Sequence, residues 1–498
     1  MDACIAVVDD DFGRTRVARR GQLGRGLAAV LRERLVIALA LHKPCAEPVG
    51  ENVYGSIRGH RGDGGSGAGS LIRGCPHMHA GFHAARAAFS RTPGCSRGPS
   101  VGLMPLKVLI AGAGPAALEA ALTLHRIAGE RVVTTVLAPD DDFNYRPLSV
   151  LEPFAAGGAI NYPLTRIAAD AGFQHRQDSL ASVDSAAHTV QTSDGEQISY
   201  DVLVVAVGAV PIAPIRGMTA FDGSLNAAKA MHGLVQDIEG GFTTRVAFVA
   251  PPGGAWPLPL YELTLMLAER AFEMGLNPEL HFVTLEDAPL AIFGPEAARE
   301  VAKLLSVAGV VVHANSRMER LENGHLHLAP GGEDLAMQRV VTLPRLSGPT
   351  IDGLPADTDG FLVTDAHARV LGVPDVYAAG DITAFPIKQG GLACQQADAA
   401  AEHIAARAGA AIDPTLFTPV LRGMLLTERW SRFLRRDADT DDGTVAGRAL
   451  WWPPAKIAGR ELAGYLQSLD EDFGHVHGLP VESRVEADAH PVEVLSLQ

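Results

Sequence analysis

The sequence predicts an α/β fold built on parallel sheets, and two observations carry that expectation. Twice along the chain a short apolar strand, a loop, a helical stretch and a second β-branched strand follow in that order, and parallel pairing requires such a crossover. The composition agrees, since 47% of the 498 residues are apolar and 20% charged, near the average for soluble globular chains. A chain of this length is expected to hold two or more packed units.

The first unit opens with Lys107-Val108-Leu109-Ile110-Ala111, bounded by glycine as a buried parallel strand should be. A helix is expected over Pro115 to Ile127, ending before Gly129, and a second strand over Arg131 to Leu137. Between strand and helix lies Gly112-Ala113-Gly114-Pro115-Ala116-Ala117. Gly112 permits a tight turn, Gly114 lets backbone approach a pyrophosphate, and small Ala117 suits close packing of helix on strand. Pro115 fits a first helical turn, where its missing N–H would have been unpaired. The free N–H groups and the helix dipole then face an anion. An acidic residue is expected at the end of the second strand to hold a ribose, but Ala138 stands there, followed by Pro139 and Asp140-Asp141-Asp142, which reads as a solvated loop.

The second unit comprises the strand Arg245 to Ala250, a loop to Pro259, a helix over Leu260 to Met274 and the strand His281 to Thr284. Its loop, Ala250-Pro251-Pro252-Gly253-Gly254-Ala255-Trp256-Pro257-Leu258-Pro259, lacks a GxGxxG turn, and its four prolines donate no hydrogen bonds. Glu286 follows the last strand, where a carboxylate suits a ribose 2′-hydroxyl; as a lone surface residue it more often reads as solvated.

Charge divides the chain. Met1 to Leu103 carries 13 Arg and 1 Lys against 8 acidic residues, whereas the remainder accounts for a net charge of −21 within the overall −15. That sign disfavours a general nucleic-acid binder, whose phosphate contacts need clustered Lys and Arg. The Gly-rich run Gly59 to Ser70 shows no periodicity, so residues 1–103 are expected to be a disordered extension from an upstream start, with Met104 as the natural first residue. Its deletion is expected to leave cofactor content and melting temperature intact. Only Cys394 lies beyond residue 103, which excludes a disulfide scaffold for the main body and fits a reducing, cytoplasmic setting. No apolar run approaches a membrane span, and the histidines show no metal-ligand spacing.

Three ordered motifs carry a resemblance. Besides the glycine turn these are Tyr200-Asp201-Val202-Leu203-Val204-Val205-Ala206-Val207-Gly208-Ala209-Val210-Pro211 and Val376-Tyr377-Ala378-Ala379-Gly380-Asp381. From Met104 to about Leu466 the chain resembles the flavin-dependent pyridine nucleotide-disulfide oxidoreductase superfamily, particularly the branch of type II NADH:quinone dehydrogenases and sulfide:quinone oxidoreductases. The resemblance implies two Rossmann-like domains, the second inserted in the first: 104–216 and 355–411 for FAD, 217–354 for a second nucleotide-type domain, and a C-terminal lid over 412–470, with 471–498 a disordered tail. It implies FAD held by Gly112, Gly114, Pro115, Ala116, Ala117, Gly208 and Gly380, with Asp381 on the ribityl chain. The glycines before the helix starting near Gly390-Gly391-Leu392 are expected to aim its positive end at the flavin edge; Lys388 either adds charge there or is solvated.

The implied reaction is two-electron reduction of FAD followed by reoxidation by a quinone or another small acceptor, with NAD(P)H or a sulfur compound as donor. A sulfur enzyme without its cysteine pair and a non-catalytic FAD-binding redox sensor are the alternatives. One thiol cannot close an intramolecular disulfide, so Cys394 reads as a packing residue. Trp451 and Trp452 read either as a quinone slot or as core, and the five arginines between Leu421 and Arg436 either as a contact to an anionic membrane or as a basic face of their own domain. No catalytic acid or base is identified.

Overall fold

The computed structural model describes residues 7–9, 15–17, 104–253, 255–427, 430–438 and 440–469. The expectations of disorder for residues 1–103 and 471–498 fall outside the described residues, apart from an antiparallel pair formed by Val7–Asp9 and Thr15–Val17.

Each βαβ unit seeds one parallel sheet. The first sheet contains β1 (Leu106–Ala111), β2 (Val132–Ala138), β3 (Gln174–Gln177), β4 (Val202–Val205) and β10 (Val376–Ala378), in the order β10-β4-β1-β2-β3. The second contains β5 (Thr219–Ala220), β6 (Arg245–Val249), β7 (Glu279–Val283), β8 (Val310–His313) and β9 (Arg339–Thr342), in the order β5-β9-β6-β7-β8. Every pairing in both is parallel. The chain leaves the first sheet after β4, builds the whole second sheet, and returns with β10 beside β4, so one unit is inserted in the other.

These strands are central because their sequences can be buried on both faces. β4, Val-Leu-Val-Val, is buried at every position, and β1 at its last four. The helix α1 (Pro115–Ala128) packs against α3 (Gly390–Arg407), and both carry alanine-rich faces that permit close approach. Between β6 and β7 of the inserted unit, α2 (Leu258–Glu273) is apolar almost all round and correspondingly buried.

The segment from Leu421 to Arg436 forms an antiparallel hairpin, β11 (Val420–Leu426) with β12 (Ser431–Asp437), extended by β13 (Thr444–Ala446). Its arginines mostly meet acids of the same chain: Arg432 pairs with Glu300, Arg435 with Asp437 and Arg436 with Asp441. These three form part of the domain's own packing. No helix among the described residues is long and apolar enough to cross a membrane. The short helix α4 (Leu462–Leu469) docks back on α1.

Candidate functional site

The glycine turn has the geometry its sequence calls for. Gly112 holds φ +110°, and a Cβ there would lie 2.3 Å from the carbonyl oxygen of Ala206 at the end of β4, so only glycine fits. Gly114 is the N-cap of α1, supplies no side-chain cap, and has open space in front of it. Ala116 and Ala117 are buried below the turn, and Pro115 occupies the first helical turn. Gly380, with φ +85°, sits against the Cβ atoms of Ala116 and Ala393, which brings the end of β10 alongside the same turn. Gly208, with φ +79°, follows β4 with open space beside it. The backbone N–H groups at the start of α1 therefore face a cradle suited to a diphosphate.

Beyond Gly380 the chain enters a cavity of about 350 Å³. Its walls come from three parts of the sequence. The flavin-type half supplies Asp381, Lys388, Gln389 and Gly390; the inserted unit supplies Trp256, Pro259 and Glu262; the C-terminal segment supplies Arg422, Met424, Lys456 and Ile457. Burial raises the Asp381 carboxyl above its usual range, against the pull of Lys388. Lys388 is buried rather than solvated. Its Nζ donates to the Thr383 carbonyl and lies 3.7 Å from the centre of the Phe361 ring, and burial pulls it down to about 8.

The start of α3 is closed by Gln389, whose Oε1 accepts from Leu392 N at 3.0 Å while its Nε2 donates to the Arg422 carbonyl at 2.6 Å. Leu392 N–H is thereby taken, and both Gly391 and Leu392 are buried behind the rim. Among the described residues the wall is formed instead by Lys388, Gln389 and Gly390.

Facing this edge is a buried ion pair. Lys456 Nζ lies 2.7 Å from both carboxylate oxygens of Glu262, which is fully buried on α2, and Leu426 N donates to the same carboxylate. Burial pushes Glu262 up and Lys456 down, while each partner holds the other charged. Neither residue stood out from a motif. A carboxylate inside Leu260-Tyr261-Glu262-Leu263, in a helix otherwise apolar, was the available signal.

The loop of the second unit does not form a nucleotide cradle of the first kind. Ala255 makes a parallel bridge with Lys388, and Trp256 packs edge-on against Phe293 at 5.6 Å, so the loop becomes cavity wall. Glu286 is not a solvated surface group: one carboxylate oxygen accepts from Tyr261 OH at 2.8 Å, Thr284 Oγ1 and Leu290 N. Asp140, Asp141 and Asp142 are exposed; the first two lie in a loop as expected, whereas Asp142 opens a short strand paired with Ile160–Pro163. Trp451 and Trp452 do not line the cavity. Trp451 packs edge-on with Phe433 and donates its Nε1 to Ala455 O, and Trp452 is largely exposed. Their neighbours Lys456 and Ile457 reach the site instead. Cys394 is free and fully buried beside Glu119, and burial raises its thiol far above the range in which it would ionise. No cluster of potential metal ligands occurs among the described residues.

The family model of pyridine nucleotide-disulphide oxidoreductases matches residues 106–403. The chain belongs to this family. It is an FAD-dependent oxidoreductase, and its open turn at Gly112–Gly114 and the small residues under it fit that cofactor. An NADH dehydrogenase-like protein of Mycobacterium tuberculosis is 27% identical over 297 residues, covering 56% of this chain and 73% of the relative. The ferredoxin–NAD(+) reductase component of a p-cumate 2,3-dioxygenase system of Pseudomonas putida is 27% identical over 305 residues, covering 56% and 68%. The sulfide:quinone oxidoreductase of Aquifex aeolicus superposes with a TM-score of 0.62 at 18% identity, covering 78% of this chain and 96% of that structure, which establishes a shared fold.

Proposed function

We propose that this flavoenzyme passes two electrons to a quinone or another small planar acceptor bound in the cavity between Asp381, Glu262 and Arg422. FAD bound along the Gly112 turn supplies the two-electron redox chemistry. Gly112, Gly114 and Gly380 shape the backbone that grips it, Asp381 serves its ribityl chain, and Lys388 with the start of α3 provides positive potential at its edge.

The observation that carries the acceptor reading is the composition of the opposite wall. Trp256, Leu258, Pro259, Leu343, Pro344, Leu346 and Met424 make it apolar, and a small number of charged groups converge on it, the usual character of a small-molecule site. Lys456 presents a proton at that wall, held charged by Glu262, where an acceptor oxygen that gains electrons also needs protons. We assign the working enzyme to the cytoplasm; a quinone partner would bring it to the face of a membrane. NAD(P)H remains the donor that the family suggests, at a second unit whose loop offers few free backbone donors.

The test is anaerobic mixing of dithionite-reduced holoenzyme with 1,4-naphthoquinone, followed at the flavin band. Rapid recovery of the oxidised spectrum supports the reading. Retention of the reduced spectrum, with ferricyanide still able to restore it, would refute the reading.

A further inference from the structure

One charged group in the cavity has no counterpart. Four basic residues line it, Arg146, Lys388, Arg422 and Lys456, against three acidic ones, Asp222, Glu262 and Asp381, in a chain whose overall charge is −15. Lys456 is matched by Glu262, Lys388 stands beside Asp381, and Arg146 lies near Asp222 at the exposed mouth. Arg422 differs from them. Its Nε is buried without a hydrogen-bond partner among the described residues. The residue opposite it across the hairpin is Arg435, whose guanidinium is already bonded to Asp437 through two nitrogens. Arg422 itself is held by its backbone, since its carbonyl accepts from Gln389. Desolvation and the nearby Arg435 both act against its charge, and only Asp437 favours it.

A guanidinium kept charged in such a place needs an anion, and its planar fork matches carboxylate or sulfonate oxygens two at a time. Among the described residues Asp437, the acid that favours its charge, is already bonded to Arg435, and none accepts from Arg422 Nε. We propose that Arg422 is a specificity-determining residue that selects a redox partner bearing an anionic group, a carboxylate, a sulfonate or an ionised ring hydroxyl, over a neutral molecule of the same size. The inference rests on the acceptor reading above. It adds that the molecule entering the cavity carries negative charge, which Arg146 at the mouth attracts and Arg422 on the inner wall pairs with.

Binding and electron transfer test it separately on the flavin-loaded full chain. Calorimetry compares naphthalene-2-sulfonate with naphthalene-2-sulfonamide, neither of which accepts electrons. The wild type is expected to bind the sulfonate about tenfold to a hundredfold more tightly, the usual weight of a charge-assisted bond, and the preference should shrink in high salt. R422Q is expected to lose it, and R422K, which keeps the charge without the fork, to retain part. The reduced enzyme is then mixed with 1,4-naphthoquinone-2-sulfonate or with unsubstituted 1,4-naphthoquinone, and the ratio of the two reoxidation rates should collapse in R422Q. Equal binding of sulfonate and sulfonamide by the wild type would overturn the proposal while leaving the acceptor reading intact. So would an unchanged ratio in R422Q, or a variant that sheds its flavin yet still prefers the sulfonate, which would assign Arg422 to the cofactor. Reoxidation by neither quinone would overturn the acceptor reading and this inference with it.

Discussion

The two βαβ units share a topology and differ in what fills the bend between strand and helix. In the first, glycine at position 112 and open space before Gly114 leave the N–H groups of α1 facing outward. In the second, Ala255 pairs with Lys388 and Trp256 packs on Phe293, so side chains and a borrowed strand contact occupy the equivalent place. Both helices carry a proline in the first turn, Pro115 in α1 and Pro259 in α2, and both lack a side-chain cap. The same frame therefore serves as a ligand grip in one case and as the wall of a neighbouring site in the other, and the choice lies in a handful of loop residues.

The largest expected effect breaks the first bend. Gly112→Val would place side-chain atoms against the Ala206 carbonyl in a backbone conformation valine avoids, so we expect no soluble yellow protein, measured as the ratio of flavin to protein absorbance. If the second unit is wall rather than grip, its helix matters through Glu262. Glu262→Leu should destabilise the protein by about 3–5 kcal/mol in denaturant unfolding, because Lys456 is left buried alone, and Glu262→Leu with Lys456→Leu should recover most of that loss. Asp381→Ala keeps the bend, and if this carboxylate holds the ribityl chain as proposed, flavin affinity should fall by about tenfold to a hundredfold in equilibrium dialysis. A direct comparison of the two bends comes from NADH: with few free donors in the second loop, bleaching of the flavin should saturate only near ~1 mM, the upper end of ordinary KM values. Saturation at micromolar NADH would show that the second bend grips after all.

A last effect, read as a pH dependence, concerns the acids behind the first bend. Asp398 is raised to about 8, by burial and then by the adjacent Glu119, with Arg460 opposing. The folded state thus keeps a proton that an unfolded aspartate releases near its ordinary value of 3.8. Its stabilising share is complete below that value and is lost as the pH climbs through about 8. Thermal unfolding from pH 4 to 8 should show that decline, and Asp398→Asn should flatten it, each unit of pKa displacement being worth about 1.4 kcal/mol at most.

The first bend was legible because its requirements are local: positive φ, missing side chains and a proline at a helix start are all written in six consecutive residues. The two parallel sheets were legible in part for a similar reason, since β1, β4 and β6 are largely apolar runs, whereas the edge strand β3, Gln-His-Arg-Gln, carries no such signal. The cavity was not. Glu262 and Lys456 are separated by 194 positions and meet only because one sheet is inserted in the other and the chain end folds back. Trp451 and Trp452 drew attention by residue type, yet the nearby lysine reaches the site, because register along an irregular segment decides which side chain faces inward. The arginine-rich stretch read as a surface feature since alternation of Arg with Leu and Phe does not reveal that a hairpin turns Arg422 toward the interior.

Glu119, buried on α1, accepts hydrogen bonds from the backbone N–H of Glu461 and Leu462, and Arg460 bonds Asp398 and Glu402 on α3. This clasp fastens the stretch that carries Lys456 onto the very helices that begin at the two flavin motifs. Gly380, which shapes the same grip, comes only shortly before Lys456 in the sequence. During synthesis on the ribosome the cradle and the chamber's last wall are therefore both completed late, by the returning end of the chain.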